Sequence, residues 1–386
     1  MRIGYVIAGV PNQNMALYHR IRFAAGDPAG VLLILEGDHV SHASLVIRDI
    51  EVHRAQKQAA VDEVFHPAQL VDATSLSVDR EVATAQALRV LAERQDLTEL
   101  CIDRSVPLVY ADVLAGGRFA IRCELHRSAA ARRQKSVEER DALRAAQAAT
   151  ERAMARACEM VADSQAASDG KLLSGGELLT AERLQAMIDV WLLAEGYAGS
   201  DSIVAGGPRA ADCHDRGSGP LCTGETVVID IFPRSKATRY YGDCTRTVVH
   251  GEVPGPVAAM HAAVSAAKRA AIAATYAGVT GEAVHAAAAD QITAAGFAMG
   301  DFEEGDRADA ARMIHGTGHG VGLDLHEPPL LVRGGPELVV GDVVTIEPGL
   351  YARGLGGVRI EDMVAVTAEG CENFNSLHER LDWRTS

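Results

Sequence analysis

No apolar run in this chain of 386 residues approaches the roughly 20 residues that a membrane-spanning helix needs, so no membrane segment is expected. Positive charge is also short: 37 Lys and Arg stand against 52 Asp and Glu, a formal net charge of −15. A nucleic-acid surface would show a basic stripe, so no nucleic-acid partner is expected. The 7 cysteines include no C-x-x-C pair. An odd number without ligand-like spacing fits reduced thiols in a cytoplasmic protein better than a disulfide framework or a thiolate metal site. The opening MRIGYVIAGV carries a short apolar run but no A-x-A-like cleavage site, and Pro11, Asn12, Gln13 and Asn14 interrupt it at once. It reads as a first strand or an irregular N-terminus rather than a signal peptide.

What remains is ordinary globular material, 48% hydrophobic and 23% charged, long enough for two or more domains with a sizeable core. Residues 1 to about 130 alternate strand-like runs, VLLILEG (31–37), SLVIRDIE (44–51) and LCID (100–103), with a helical stretch at 78–95. That alternation predicts a small α/β domain. A basic cluster, Arg132, Arg133 and Lys135, then reads as a solvated linker. Ser136 with Glu139 forms a capping box, and a long helix is expected over about 137–163. Further helices are expected near 178–195, 255–277 and 280–296, with Gly278 as a stop. The Ala-rich stretch 262–275 reads as a closely packed helix. Strands are expected at 226–232, 244–249, 343–347 and 358–367. Their order is not strictly βαβ, so the second part reads as α+β with an antiparallel sheet.

One carboxylate pattern occurs twice. Gly224 is followed by an apolar run ending in Asp230, and Gly341, at the same spacing, by one ending in Glu347. A second acid follows each beside another strand-like run: Asp243 in YGDCTRTVV and Glu361 in GVRIEDMVAV. An acid after several β-formers is held where a strand buries its neighbours. Four such acids cannot stay ionised together without cations, and two divalent ions would balance them.

Between the two halves lies HGTGHGVGLDLHEPP, with His315, His319 and His326 separated by Gly316, Gly318, Gly320 and Gly322. Glycines let a backbone approach a ligand closely, and carboxylates with one imidazole suit Mn²⁺, Co²⁺, Zn²⁺ or Fe²⁺. The glycines do not fit G-x-G-x-x-G. HEPPL lacks the second His of H-E-x-x-H, and Pro328 and Pro329 forbid that helix. His214, in AADCHDRGSGP, taken alone reads as an ordinary loop histidine.

The segments IDIFPR with YGDCTRT, HGTGHGVGLDLHEPP, TIEPGLY and GVRIEDM, in that order, resemble the signatures of the pita-bread metallopeptidases. That superfamily includes methionine aminopeptidase, aminopeptidase P and prolidase, and the resemblance covers about 135–370. It implies a pita-bread catalytic domain with an internal pseudo-twofold over 131–386, preceded by a smaller creatinase-like α/β domain over 1–130. By resemblance, Asp230, Asp243, His319, Glu347 and Glu361 match the five metal ligands, with Asp243 and Glu361 bridging two ions, Mn²⁺ being the first expectation. Glu347 would move the proton, and His326 and His214 would face the substrate. His315 and Arg359 match further active-site positions, Arg359 orienting a ligand carboxylate.

The DxTRT form at Asp243 to Thr247 and the LDLHEPP segment look more like aminopeptidase P and prolidase than methionine aminopeptidase. The expected reaction is therefore hydrolysis of an Xaa-Pro bond at the N-terminus of a short peptide by an Xaa-Pro aminopeptidase. An Xaa-Pro dipeptidase is the runner-up, and a same-fold hydrolase or lyase acting on a small non-peptide substrate stands behind it. Relatives of this kind usually form homodimers, which sets that expectation here. Phe232 and Pro233 follow Asp230 where many relatives have small residues, narrowing one wall of the expected pocket. The turn from Asp230 to Asp243 is longer than usual, and residues 1–130 match the family's N-terminal domain only weakly.

Overall fold

The structure is a computed structural model describing residues 2–199 and 201–384. It divides into two compact units, one up to Arg132 and one from Arg133 onward.

The first unit is built on a six-stranded mixed sheet in the order Glu63–Phe65, His39–Val46, Ala29–Glu36, Arg2–Gly9, Glu99–Asp103, Ala120–Glu124. Side chains of a strand alternate between faces. Val6 and Ala8 pack with helices Arg80–Arg94 and Leu108–Ala115 on one side, while Tyr5 and Ile7 pack with helix Met15–Ile21 on the other. The result is a three-layer α/β unit. The expected strand over 44–51 stops at Val46, and helix Asp49–Gln58 begins three residues later. Asp49 and Glu51 sit in that helix's first turn, where the dipole favours acids. The mixed polar and apolar pattern concealed the switch.

The second unit opens with helix Val137–Ala162. Ser136 and Glu139 cap its start reciprocally, and Leu143, Ala146, Ala153, Met154, Ala157 and Val161 form its buried stripe. The preceding basic cluster is no solvated linker. The Arg133 guanidinium donates to Asp342, which is fully buried, and Lys135 is itself 4% exposed.

Two similar halves follow, each laying two helices against strands that carry acids. In the first, helices Val137–Ala162 and Ala181–Ala194 share a core with Thr226–Ile231 and Cys244–Val249, which pair antiparallel. In the second, helices Gly255–Ala273 and Gly281–Ala294 share a core with Val343–Ile346 and Asp362–Val366, also antiparallel. Ala263, Ala267 and Ala271 form an inward stripe at 4% exposure or less, as the Ala-rich reading required. The helix ends at Ala273 rather than 277, because Thr275 bonds back to the Ala271 carbonyl and Ala277 N–H donates to Thr367.

The expected strand 358–367 is two strands in two sheets, Gly356–Arg359 and Asp362–Val366. Between them Glu361 N–H donates to the Thr245 carbonyl at 3.1 Å, which joins the halves at their centre. This is the pita-bread fold, α+β, with the smaller α/β unit ahead of it. Among the described residues no helix is long and apolar enough to cross a membrane.

Candidate active site

The acids reach one place because each lies at or just beyond a strand end. Asp230 lies in Thr226–Ile231, opposite Thr245. Asp243 immediately precedes Cys244–Val249, Glu347 immediately follows Val343–Ile346, and Glu361 immediately precedes Asp362–Val366. His319 comes from the short strand Gly318–Gly320 within the Gly-rich segment. Its glycines permit close approach: a Cβ at Gly318 would lie 2.0 Å from the Thr345 carbonyl oxygen.

These five residues line a cleft of about 300 Å³. Ligand atoms of Asp243, His319 and Glu361 lie within 4.8 Å of one another. His319 Nε2 stands 3.7 Å from Asp243 Oδ2 and 3.5 Å from Glu347 Oε1. Its Nδ1 meets the Gly320 carbonyl at 3.0 Å, so Nδ1 carries the proton and the Nε2 lone pair faces the acids.

Burial, then the neighbouring charges of Glu361 and Asp230, pushes the Asp243 carboxyl well above the usual range. Burial, then Glu347 and Asp230, does the same to Glu361. Burial also raises Glu347 and holds His319 neutral. Asp230 adds a diagnostic atom: its Oδ1 is buried and has no hydrogen-bond partner, a state that costs about 1–3 kcal/mol or more unless another acceptor of lone pairs is present. Hard oxygen donors, one imidazole nitrogen, mutual repulsion and an orphaned carboxylate oxygen together fit divalent cations.

Around the acids stands a shell of partners. Arg359, 3% exposed, donates to Asp230 Oδ2 at 2.8 Å, to the Tyr351 hydroxyl at 2.9 Å and to the Thr245 hydroxyl at 3.2 Å. The Tyr351 hydroxyl reaches His315 Nε2 at 2.7 Å, and His315 Nδ1 meets the Gly316 carbonyl at 2.7 Å. Both nitrogens of His315 are therefore engaged, and burial keeps the ring neutral. Thr245 also donates to Glu361 Oε2 at 2.8 Å, and Thr345 to Glu347 Oε1 at 3.2 Å. Gln147, fully buried in helix Val137–Ala162, holds the backbone of Asp243 through two bonds of 2.7 Å, one to its carbonyl and one from its N–H. Gly242 permits that approach, since a Cβ there would meet Thr150 Oγ1 at 2.2 Å.

His326 and His214 are exposed and line the same cleft. The His326 ring lies 4.2 Å from that of His319, and burial followed by His319 lowers its pKa. Phe232 forms part of the wall. Gln147, Thr245, Thr345 and Tyr351 were not singled out from sequence. Gln147 left one trace there, a polar residue in the middle of an apolar helical stripe.

Residues 141–368 match metallopeptidase family M24. The chain belongs to this family. A stretch of 250 residues is 36% identical to the probable dipeptidase PepE of Mycobacterium tuberculosis, covering 64% of this chain and 60% of that protein. Another of 183 residues is 34% identical to the Xaa-Pro dipeptidase of Pyrococcus furiosus, covering 47% of this chain and 49% of the relative. The chain thus spans less than two thirds of the length of these curated relatives. As a fold, it superposes on the X-Pro aminopeptidase of Thermotoga maritima with a TM-score of 0.77 at 21% identity, covering 98% of this chain and 96% of the other. The M24 match contains every acid and histidine of the cleft.

Proposed function

We propose that this M24 protein hydrolyses the Xaa-Pro bond at the free N-terminus of short peptides, using two divalent cations. The convergence of Asp243, His319 and Glu361 within 4.8 Å, with Asp230 Oδ1 orphaned beside them, supports the metal requirement most directly. Asp230, Asp243, His319, Glu347 and Glu361 would hold the ions. Bound cations would supply Lewis acidity at the scissile carbonyl and lower the pKa of a water.

The chain's own groups do the rest. Glu347, its carboxyl raised by burial, accepts a proton and returns it to the leaving nitrogen. His326, neutral and exposed beside His319, donates to the substrate carbonyl as charge develops there, and His214 faces the same cleft. His315 has no nitrogen left for substrate. Its part is to steady Arg359 through Tyr351, and Arg359 in turn fixes the orientation of Asp230. Proline lacks the N–H that ordinary peptidases bond, and the apolar walls at Phe232, Leu325 and Leu330 suit its ring.

The name of the aligned Xaa-Pro dipeptidase favours a dipeptide substrate, whereas the T. maritima neighbour is named for aminopeptidase activity and shares the fold. The test of the shared reading is hydrolysis by Mn²⁺-loaded protein of Xaa-Pro and Xaa-Pro-Yaa against Xaa-Ala-Yaa and N-acetylated Xaa-Pro-Yaa. Cleavage confined to either or both of the first two supports it, Xaa-Pro alone marking a dipeptidase. Equal rates on the three longer peptides overturn it.

A further inference from the structure

Strands His39–Val46 and Glu63–Phe65 of the first unit are parallel neighbours. Helix Asp49–Gln58, which follows the first of them, buries Ala55 with Tyr5 and Ile7. Helix Arg80–Arg94, which comes after the second, buries Ala85 and Leu88 with Val6 and Ala8 on the other face. The chain thus leaves two adjacent carboxyl ends toward opposite faces of the sheet, the topology that opens a ligand crevice in α/β units. A cavity of about 270 Å³ lies there. Arg48 and Asp49 line it from beyond the first strand, His66 and Pro67 from beyond the second.

Both signs of charge meet apolar surface in this cavity. Asp27, 17% exposed, accepts from Arg80 Nη1 at 2.7 Å and from Arg48 Nη1 at 3.2 Å. A guanidinium carries five N–H donors, so each arginine retains several. Among the described residues no other side-chain or backbone acceptor takes up those of Arg80, which is 60% exposed. Asp49, 68% exposed, adds an accessible carboxylate to the same lining. Two arginines and two aspartates sum to zero, so a bare anion or a bare cation finds no net counter-charge here. A molecule that carries one charge of each sign finds a partner for both. Pro28, Pro67, Leu76 and Ala83 supply the apolar surface. The volume falls just below the range of about 300–1,000 Å³ for pockets of drug-sized ligands, a size for one amino acid rather than a peptide.

We propose that this cavity binds the zwitterion of a small apolar amino acid, its carboxylate on Arg80 and Arg48, its ammonium on Asp49 and its side chain toward Leu76 and the two prolines. Every residue of the site belongs to the first unit, so the proposal stands apart from the Xaa-Pro reading of the metal cleft.

The test is calorimetric titration of the Mn²⁺-loaded full chain with L-leucine, L-leucinamide, which lacks the carboxylate, and isocaproate, which lacks the ammonium. The same titrations in chelator separate any uptake of the amine at the metal cleft. L-Leucine should bind with or without metal, and each analogue should bind weaker by roughly tenfold or more, since each gives up a hydrogen bond between charged groups. Arg80→Gln and Ala68→Trp, both at exposed positions of the lining, should weaken L-leucine by a similar factor and leave metal content unchanged. No binding of L-leucine in chelator overturns the proposal. Equal affinity for all three molecules overturns the zwitterion as the ligand class. Unaltered L-leucine binding in both folded variants overturns the placement in this cavity.

Discussion

Lys135 Nζ donates to Glu327 Oε1 at 2.7 Å, with the two side chains 2% and 4% exposed. The partners are 192 positions apart in the chain, and Glu327 directly follows His326. An ion pair so deeply buried ties the segment before helix Val137–Ala162 to the strand that presents His326. Arg133 reinforces the tie through Asp342.

Removing one partner of a buried ion pair costs about 3–5 kcal/mol. Lys135→Ala should therefore lower the stability of the catalytic unit by that order, and Lys135→Met combined with Glu327→Gln should recover much of it. Trp191 and Trp383, the 2 tryptophans of the chain, both lie in this unit, so fluorescence-monitored urea unfolding reports on it. A Lys135→Ala protein as stable as wild type would show that the pair contributes little.

Metal ligands should separate from substrate-facing groups. Asp243→Ala and Glu361→Ala are expected to lose metal and activity together, because each faces several other donors of the cluster. His326→Ala should retain metal and lose roughly 10²-fold in rate, as for removal of a transition-state contact. Metal content per chain, measured beside kcat, decides the matter. Loss of metal in His326→Ala would reassign that histidine to the ligand set.

The raised carboxyls set the pH dependence of the metal-free protein. Asp243 and Glu361 bind their protons more tightly folded than unfolded, mainly through burial. Their contribution to stability is fully present below the unfolded values near about 4 and is lost as pH rises through the raised folded values. Melting temperature of chelated wild type should thus fall, relative to a chelated Asp243→Asn/Glu361→Gln protein, as pH rises from about 4 toward neutrality. Mn²⁺ should abolish that fall by pairing with the ionised forms. Parallel curves for the two chelated proteins would contradict it.

The relay from Arg359 through Tyr351 to His315 predicts an effect at the metals. Tyr351→Phe deletes the hydroxyl that connects the two, taking one acceptor from Arg359 Nη1, which keeps the Cys213 carbonyl, and the partner of His315 Nε2. Outer partners of this kind are worth about 10–100-fold in metal affinity. Chelator competition should show weaker Mn²⁺ binding, with overall fold retained by circular dichroism. Unchanged affinity would confine Tyr351 to packing.

What the chain order alone determined was local or repeated. The capping box at Ser136 and Glu139, the Ala stripe of helix Gly255–Ala273 and the twice-written run from glycine to acid depend on residues a few positions apart. Short-range spacing carries their physics directly. The acids could be singled out because each ends or begins an apolar run, which is a statement about neighbours.

What the tertiary structure decided depends on partners distant in sequence. Gln147 grips the backbone of Asp243 from 96 positions away, and Thr245 meets Glu361 from 116. Residues 358–367 read as one strand because β-formers stand on both sides of Glu361 and Asp362 with no Gly or Pro between them, yet the chain divides there between two sheets, with Glu361 N–H bonded to the Thr245 carbonyl. The arginine and lysine of the supposed linker looked solvated because a basic run usually is. Only the folded chain brings Asp342 and Glu327 to them, and a buried charge is tolerated where its counter-charge is already in place.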